Sequence, residues 1–178
     1  MNIFVLCTGR CGSTTFTRAC ENITNFSASH ESRCKNLGVK RFNYPENHIE
    51  IDNRLSWVLG RLDEIYGDNA FYVHLKREQH LVATSFTKRY KGGIIKAYRG
   101  GGIIMGLPED TEPMDVAIDY CRTVNSNISL FLKDKTKKME FNLENFESDF
   151  KEFWTRIKAD GNYNLALSEF STSHNSST

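Results

Sequence analysis

The amino-acid sequence predicts an α/β protein: a central, mostly parallel sheet with helices on both faces, in a three-layer α/β/α arrangement. Three observations predict it. Residues 3–20, IFVLCTGRCGSTTFTRAC, pass from an apolar run through a glycine-containing turn into helix-forming residues. Residues 71–90, FYVHLKREQHLVATSFTKRY, make a second strand-to-helix passage. Over 49–66, 114–132 and 144–159, apolar residues return every three or four positions, the spacing of helices that lay one face on a core.

The first passage is the most specific. Ile3, Phe4, Val5 and Leu6 form a continuous apolar run that suits a strand buried on both faces, and Cys7 closes it. Gly9 and Gly12 relieve backbone crowding in the turn, and Ser13, Thr14 and Thr15 are good first-turn residues for a helix over 14–20. Such a turn points unpaired backbone N–H groups and the positive end of a helix dipole at one spot above the strand. Arg10 adds a planar fork of donors, and the hydroxyls of Ser13, Thr14 and Thr15 add more, so the loop reads as a phosphate or sulfate cradle. It matches neither G-x-x-x-x-G-K-[ST] nor G-x-G-x-x-G. A turn that uses glycine only for packing is the alternative.

In the second passage Phe71, Val73 and Leu75 alternate up to Lys76 and Arg77, and Leu81, Val82 and Phe86 then recur at helical spacing. Arg77 at the strand end is either a solvated charge or, with a serine hydroxyl from the following helix, the kind of bidentate grip a phosphate monoester requires. Between the two passages, Phe26 and Ala28 alternate with polar neighbours, which predicts a short strand over 26–29 with His30 and Glu31 at its end. Ligands of open parallel sheets bind outside the carboxyl ends of the strands, so an imidazole and an acid fall beside the loop.

The run TGRCGSTTF resembles the 5′-phosphosulfate loop of sulfotransferases that use 3′-phosphoadenosine 5′-phosphosulfate (PAPS). Arg10 matches the basic position, Cys11 the small one, Gly12 the glycine, and Ser13 and Thr14 the hydroxyl pair. Arg at the basic position is similar to the bacterial and Golgi-type branch rather than the animal cytosolic one. The resemblance implies a P-loop-like fold and sulfuryl transfer from PAPS to a hydroxyl or amine of a carbohydrate, lipid or small-molecule acceptor, leaving adenosine 3′,5′-bisphosphate. It implies that Arg77 and Ser85 hold the 3′-phosphate, and that Gly9 to Thr15 hold the phosphosulfate. Transfer to a hydroxyl needs a base. Glu31 is the first choice because several members of that branch have Glu at the corresponding strand end, and His30 is the second. No metal is required. The alternatives are a protein that binds PAPS or its product without catalysis, and a nucleotide phosphotransferase.

The remaining chain sets bounds. With 178 residues, 39% hydrophobic and 25% charged, one globular domain over 1–178 is expected. A net charge of +1 gives no bulk attraction for nucleic acid, so anion binding must be local. No apolar segment reaches the roughly 20 residues of a membrane span, and the N-terminal apolar run is too short for a signal peptide, so a soluble, cytoplasmic protein without stable membrane insertion is expected. Cys7, Cys11, Cys20, Cys34 and Cys121 lack C-x-x-C spacing and read as reduced thiols. Cys11, beside Arg10 at a helix N-terminus, is expected to have a lowered pKa unless it serves only as a small residue that fits the loop.

Residues 32–48 read as a loop in which Lys35, Lys40 and Arg41 either line an acceptor site or are solvated. A helix over 49–66, closed by Gly67 and Asp68, connects the second strand to the third through a right-handed crossover. The segment 91–113 holds six of the chain's twelve glycines around Ile94, Ile95, Ile103, Ile104 and Met105, as a lid over the acceptor, a hairpin or an oligomer contact. A helix over 114–132, a fourth strand over 139–143 and a helix over 144–159 with a core-packing aromatic stripe follow. The polar end, NLALSEFSTSHNSST, reads as a frayed tail, with His174 and Asn175 as candidates to cover the nucleotide.

Overall fold

In the computed structural model, which describes residues 1–172, the sheet has five strands: β1 (Ile3–Cys7), β2 (Ser27–His30), β3 (His48–Ile51), β4 (Phe71–Lys76) and β5 (Lys138–Asn142). Their order is β2-β3-β1-β4-β5, and all four pairings are parallel. β1 sits at the centre with every residue buried, which is why it is apolar throughout. The helices are α1 (Ser13–Cys20), α2 (Leu59–Tyr66), α3 (Gln79–Thr87), α4 (Gly93–Ala97), α5 (Pro113–Leu132), α6 (Phe146–Ile157) and α7 (Tyr163–Ser168).

The chain runs outward from β1 to β2 in one direction and from β4 to β5 in the other. Right-handed crossovers therefore put α1 and α5 on opposite faces, and the aromatic contacts agree. Phe4 of β1 meets Tyr66 of α2 and Tyr72 of β4, and Tyr72 meets Phe131 of α5 edge to face. On the other face Phe16 of α1 packs against Phe141 of β5 and against Phe150 and Phe153 of α6. A helix to either side thus seals the central strands, as the fold class requires.

Three expectations are corrected. Residues 49–51 are not the first turn of a helix but part of β3, in register with Ile3 to Val5 of β1. Ile51, Leu55, Val58 and Leu62 carry helical spacing across the boundary, and His48 and Glu50 break the apolar run that marks a buried strand. Only tertiary pairing resolves the two periods. The chain then turns at Asp52, whose side chain accepts from Arg54 N and caps a 3₁₀ turn over Asn53–Trp57 before α2 begins.

The end of the described chain is not frayed either. α7 and a turn over Glu169–Ser171 bring Phe170 against Phe16, Phe141, Phe146 and Phe150. His174 and Asn175 lie outside the described residues. The glycine-rich segment 91–113 is no hairpin: Gly93 to Ala97 form α4, Ile95 and Tyr98 are buried, and Tyr98 donates its hydroxyl hydrogen to Asp119 Oδ2 of α5 (2.5 Å). Its exposed apolar side chains, Ile103 and Met105, follow the bend at Gly100 and Gly101. No helix among the described residues is long and apolar enough to cross a membrane.

His74 of β4 faces α5, where its Nε2 and Asn125 Oδ1 lie 3.1 Å apart, and burial pushes its pKa down to about 4. An unfolded histidine titrates near 6.5, so between those values the unfolded chain binds more protons. Stability should be intact above about pH 6.5 and fall as pH drops toward 4, by up to about 3 kcal/mol from this residue. Urea denaturation of wild type and His74→Asn at pH 7 and 4.5 should show the smaller pH loss in the variant.

Candidate functional site

The carboxyl ends of β1, β2 and β4 and the turn after β3 open onto one cleft of about 1300 Å³. β1 and β4 are neighbours in the sheet, so the loop after one and the helix after the other face each other across it. In the loop, Gly9, Arg10 and Gly12 all have positive φ (78°, 59° and 86°), which coils the backbone tightly before α1. Gly12 caps α1 without a side-chain hydrogen bond, so the first-turn N–H groups of Ser13, Thr14 and Thr15 stand at the cleft wall with the positive helix end behind them. Gly9 is also needed for space: a Cβ there would stand 2.7 Å from Asn53 Nδ2.

The two half-sites meet. Arg10 Nε donates to Ser85 Oγ (2.9 Å), and Arg77 Nη1 reaches the Arg10 carbonyl at 3.4 Å. Burial, then the nearby charges of Arg89 and Arg77, lower the Arg10 pKa from its ordinary value. Three guanidinium groups within Coulombic reach repel one another, and an anion between them relieves that repulsion. Lys88 and Lys91 add to the same wall.

On the opposite wall His30 Nε2 shares a hydrogen bond with Ser13 Oγ (3.1 Å), so the imidazole touches the loop itself. Glu31 also borders the cleft, with φ of 50° and its carboxylate held by Arg54 Nη1. Cys11 behaves differently from its loop neighbours. Its side chain is fully buried and hydrogen-bonds Cys7, and the residue does not line the cleft, so the expected place for it against a phosphosulfate is reduced to a small residue that fits the loop. The Cys7 hydrogen bond lowers the Cys11 pKa against the opposing effect of burial, while the same contact and burial raise that of Cys7. The lowering expected from Arg10 and the helix end therefore has another cause.

Sequence reasoning missed several cleft residues. Arg54 and Asn53 follow the unrecognised β3, and Asn53 Oδ1 is buried without a partner among the described residues. The Asp52 cap before Arg54 was the local signal available. Leu143, Phe146 and Phe170 form an apolar wall, with the Phe146 and Phe170 rings stacked 5.3 Å apart and 13° from parallel. Phe146 had been read as core and Phe170 as tail. Lys35 and Lys40 are exposed rather than in the cleft, and Arg41 is buried against Asp52 Oδ2 (2.6 Å) and Tyr44. Among the described residues no group of three or more His, Cys, Asp or Glu could hold a metal ion.

The α/β architecture, a five-stranded parallel sheet between helices, is matched in a solved structure of known activity. Among solved structures, the chain is similar to a sulfotransferase domain from the curacin biosynthetic pathway, with a TM-score of 0.67 and 14% sequence identity, over 92% of this chain and 75% of that one. No protein-family model matches the chain, and no curated protein matches it. At this identity the likeness shows the architecture, and the chemistry must rest on the cleft.

An anion cradle of this construction should bind inorganic pyrophosphate. Its addition should raise the melting temperature of the wild type, with the rise shrinking as salt is added. In Gly12→Ala, where the positive φ costs about 1–3 kcal/mol of strain, most of the rise should vanish. An undiminished rise would place the anion elsewhere.

Proposed function

We propose that the protein transfers a sulfuryl group from PAPS to a hydroxyl or amine of a carbohydrate, lipid or small-molecule acceptor. The observation that carries this reading is the Arg10–Ser85 contact. It joins a loop fitted to a phosphosulfate and a helix fitted to a second phosphate, so one ligand with two anionic ends can span both. The loop N–H groups and Arg10 would hold the 5′-phosphosulfate, and Arg77 and Ser85 the 3′-phosphate. The stacked Phe146 and Phe170 with Leu143 offer a flat apolar surface for the base.

The reaction is an in-line displacement. The acceptor oxygen or nitrogen attacks sulfur as the bond from sulfur to the bridging oxygen breaks, and that electron pair passes to the 5′-phosphate of the departing adenosine 3′,5′-bisphosphate. Arg10 and the first-turn N–H groups face the charge that develops there. Glu31 takes the acceptor proton. His30, hydrogen-bonded to Ser13, is the second candidate for that step and orients the hydroxyl beside the sulfuryl group. A protein that binds the nucleotide without transfer is the second reading, favoured by the engagement of the Glu31 carboxylate by Arg54.

Adenosine 3′,5′-bisphosphate should bind more tightly than AMP in calorimetry. Arg77→Ala should erase most of the difference, since a lost charge-assisted contact costs about 1.5–3 kcal/mol. Equal affinities would remove the 3′-phosphate site.

Turnover separates the two readings. Release of ³⁵S from labelled PAPS, to water or to an acceptor, should fall by about 10²–10³ in Arg10→Ala, the scale for deleting one preorganised donor to developing charge. It should fall steeply in Glu31→Gln while bisphosphate affinity persists. Wild-type protein that binds the bisphosphate and passes no ³⁵S to water or to any of a panel of carbohydrate, lipid and small-molecule acceptors would establish the binding reading.

A further inference from the structure

Glu50 is a carboxylate in the interior of a parallel sheet, with no exposed surface. It lies outside the cleft, and the reaction above makes no use of it. Its oxygens nonetheless collect three donors. Ser32 N reaches Oε1 (2.6 Å), Ser32 Oγ reaches Oε2 (2.7 Å), and His48 Nε2 reaches Oε2 (2.9 Å). His48 is braced in turn by Ser27 Oγ on Nδ1 (2.8 Å) and by the Tyr44 ring stacked 5.5 Å away.

A carboxyl group buried in a strand is costly unless its oxygens are hydrogen-bonded. Here two of the three donors belong to one residue, Ser32, the immediate neighbour of Glu31. On its other side Glu31 N donates to Ile51 O (3.0 Å), one residue beyond Glu50. The two backbone groups that bracket Glu31 are therefore both fastened to β3. Between them Glu31 is held at a φ of 50°, a left-handed conformation that a non-glycine residue adopts at a cost. That conformation turns the chain out of β2 and leaves the Glu31 side chain at the cleft, where Arg54 meets it. A residue free to relax would leave this conformation.

We propose that Glu50 is a positioning residue for sulfuryl transfer: through Ser32 it locks Glu31 in its left-handed turn and so aims the proton-accepting carboxylate into the cleft. The proposal rests on the reading of Glu31 as the base. It assigns no contact between Glu50 and either substrate. Nucleotide binding, which uses the loop after β1 and the helix after β4, lies outside its reach.

The test is a double-mutant cycle on Ser32 and Glu31, read by release of ³⁵S from labelled PAPS to water or to an acceptor, with bisphosphate affinity measured alongside. Ser32→Ala should slow release about tenfold, the scale for removing an outer partner of a reacting group, with the KM for PAPS and the bisphosphate Kd unchanged. Ser32→Thr, which keeps the hydroxyl, should restore most of the rate. In a Glu31→Gln background, Ser32→Ala should cost nothing further, because its effect passes through Glu31. Glu50→Gln should track Ser32→Ala, and if that buried change prevents folding the Ser32 cycle carries the test. Equal losses in both backgrounds, or a loss shared by bisphosphate binding, would make the contact merely structural and overturn the proposal. A wild type that binds the bisphosphate but passes no ³⁵S to water or to any of a panel of acceptors would overturn it too, while a wild type that fails to bind the bisphosphate would first remove the proposed function.

Discussion

The hydrogen bond from Arg10 to Ser85 depends on one constraint, the adjacency of β1 and β4. The residues are 75 apart in the chain, and they meet because both follow strands that end at the same edge of the sheet. A parallel sheet gathers its carboxyl ends on one side, so loops from distant stretches share a cleft without any long-range pairing of their own. Burial of β1 fixes where the loop begins. The positive φ values from Gly9 to Gly12 fix how sharply it turns, and the uncapped start of α1 fixes which groups face the cleft. Moving any of these would part the two anion-facing walls.

The cleft wall that carries Glu31 and Arg54 depends on the polar side of β3. Glu50 and Asp52 point the same way from the strand, as residues two apart must. Glu50 fastens the chain after β2, while Asp52 accepts from Arg54 N and from Arg41 Nη2. One buried strand thus orders both partners of the Glu31–Arg54 ion pair. The cost of burying two carboxyl groups is offset by hydrogen bonds from Ser32 and His48 to Glu50 and from Arg41 and Arg54 to Asp52, and what it secures is placement rather than net stability. The opposite face of the sheet uses aromatic packing around Phe16, where no such placement is required.

The elements legible in the sequence were those whose local pattern and tertiary role agree. β1, α1, β4 and α3 carry unmixed periodicity or glycine placement, and the architecture follows from them. The second strand was legible from Phe26 and Ala28, although its residues are only half buried at the edge of the sheet. β3 was hidden because its buried polar residues imitate a surface and its isoleucines fall in phase with the turn beyond. Phe170 was hidden because a lone aromatic in a polar stretch carries no period at all. That Arg10, His30 and Glu31 border the cleft was legible from their positions at strand ends, whereas pairing Arg77 with Ser85 leaned on the likeness to sulfotransferases. Arg54 and Asn53 required knowing where β3 ended. Cys11 shows the limit from the other side, since a loop position does not say which way a side chain turns.

The most direct measurement of the central claim is a crystal structure with adenosine 3′,5′-bisphosphate. The account predicts 5′-phosphate oxygens on the N–H groups of the α1 first turn, the 3′-phosphate against Arg77 and Ser85, and the adenine beside Phe146 and Phe170. A nucleotide bound outside this cleft, or one whose 3′-phosphate projects into solvent away from Arg77, would contradict it.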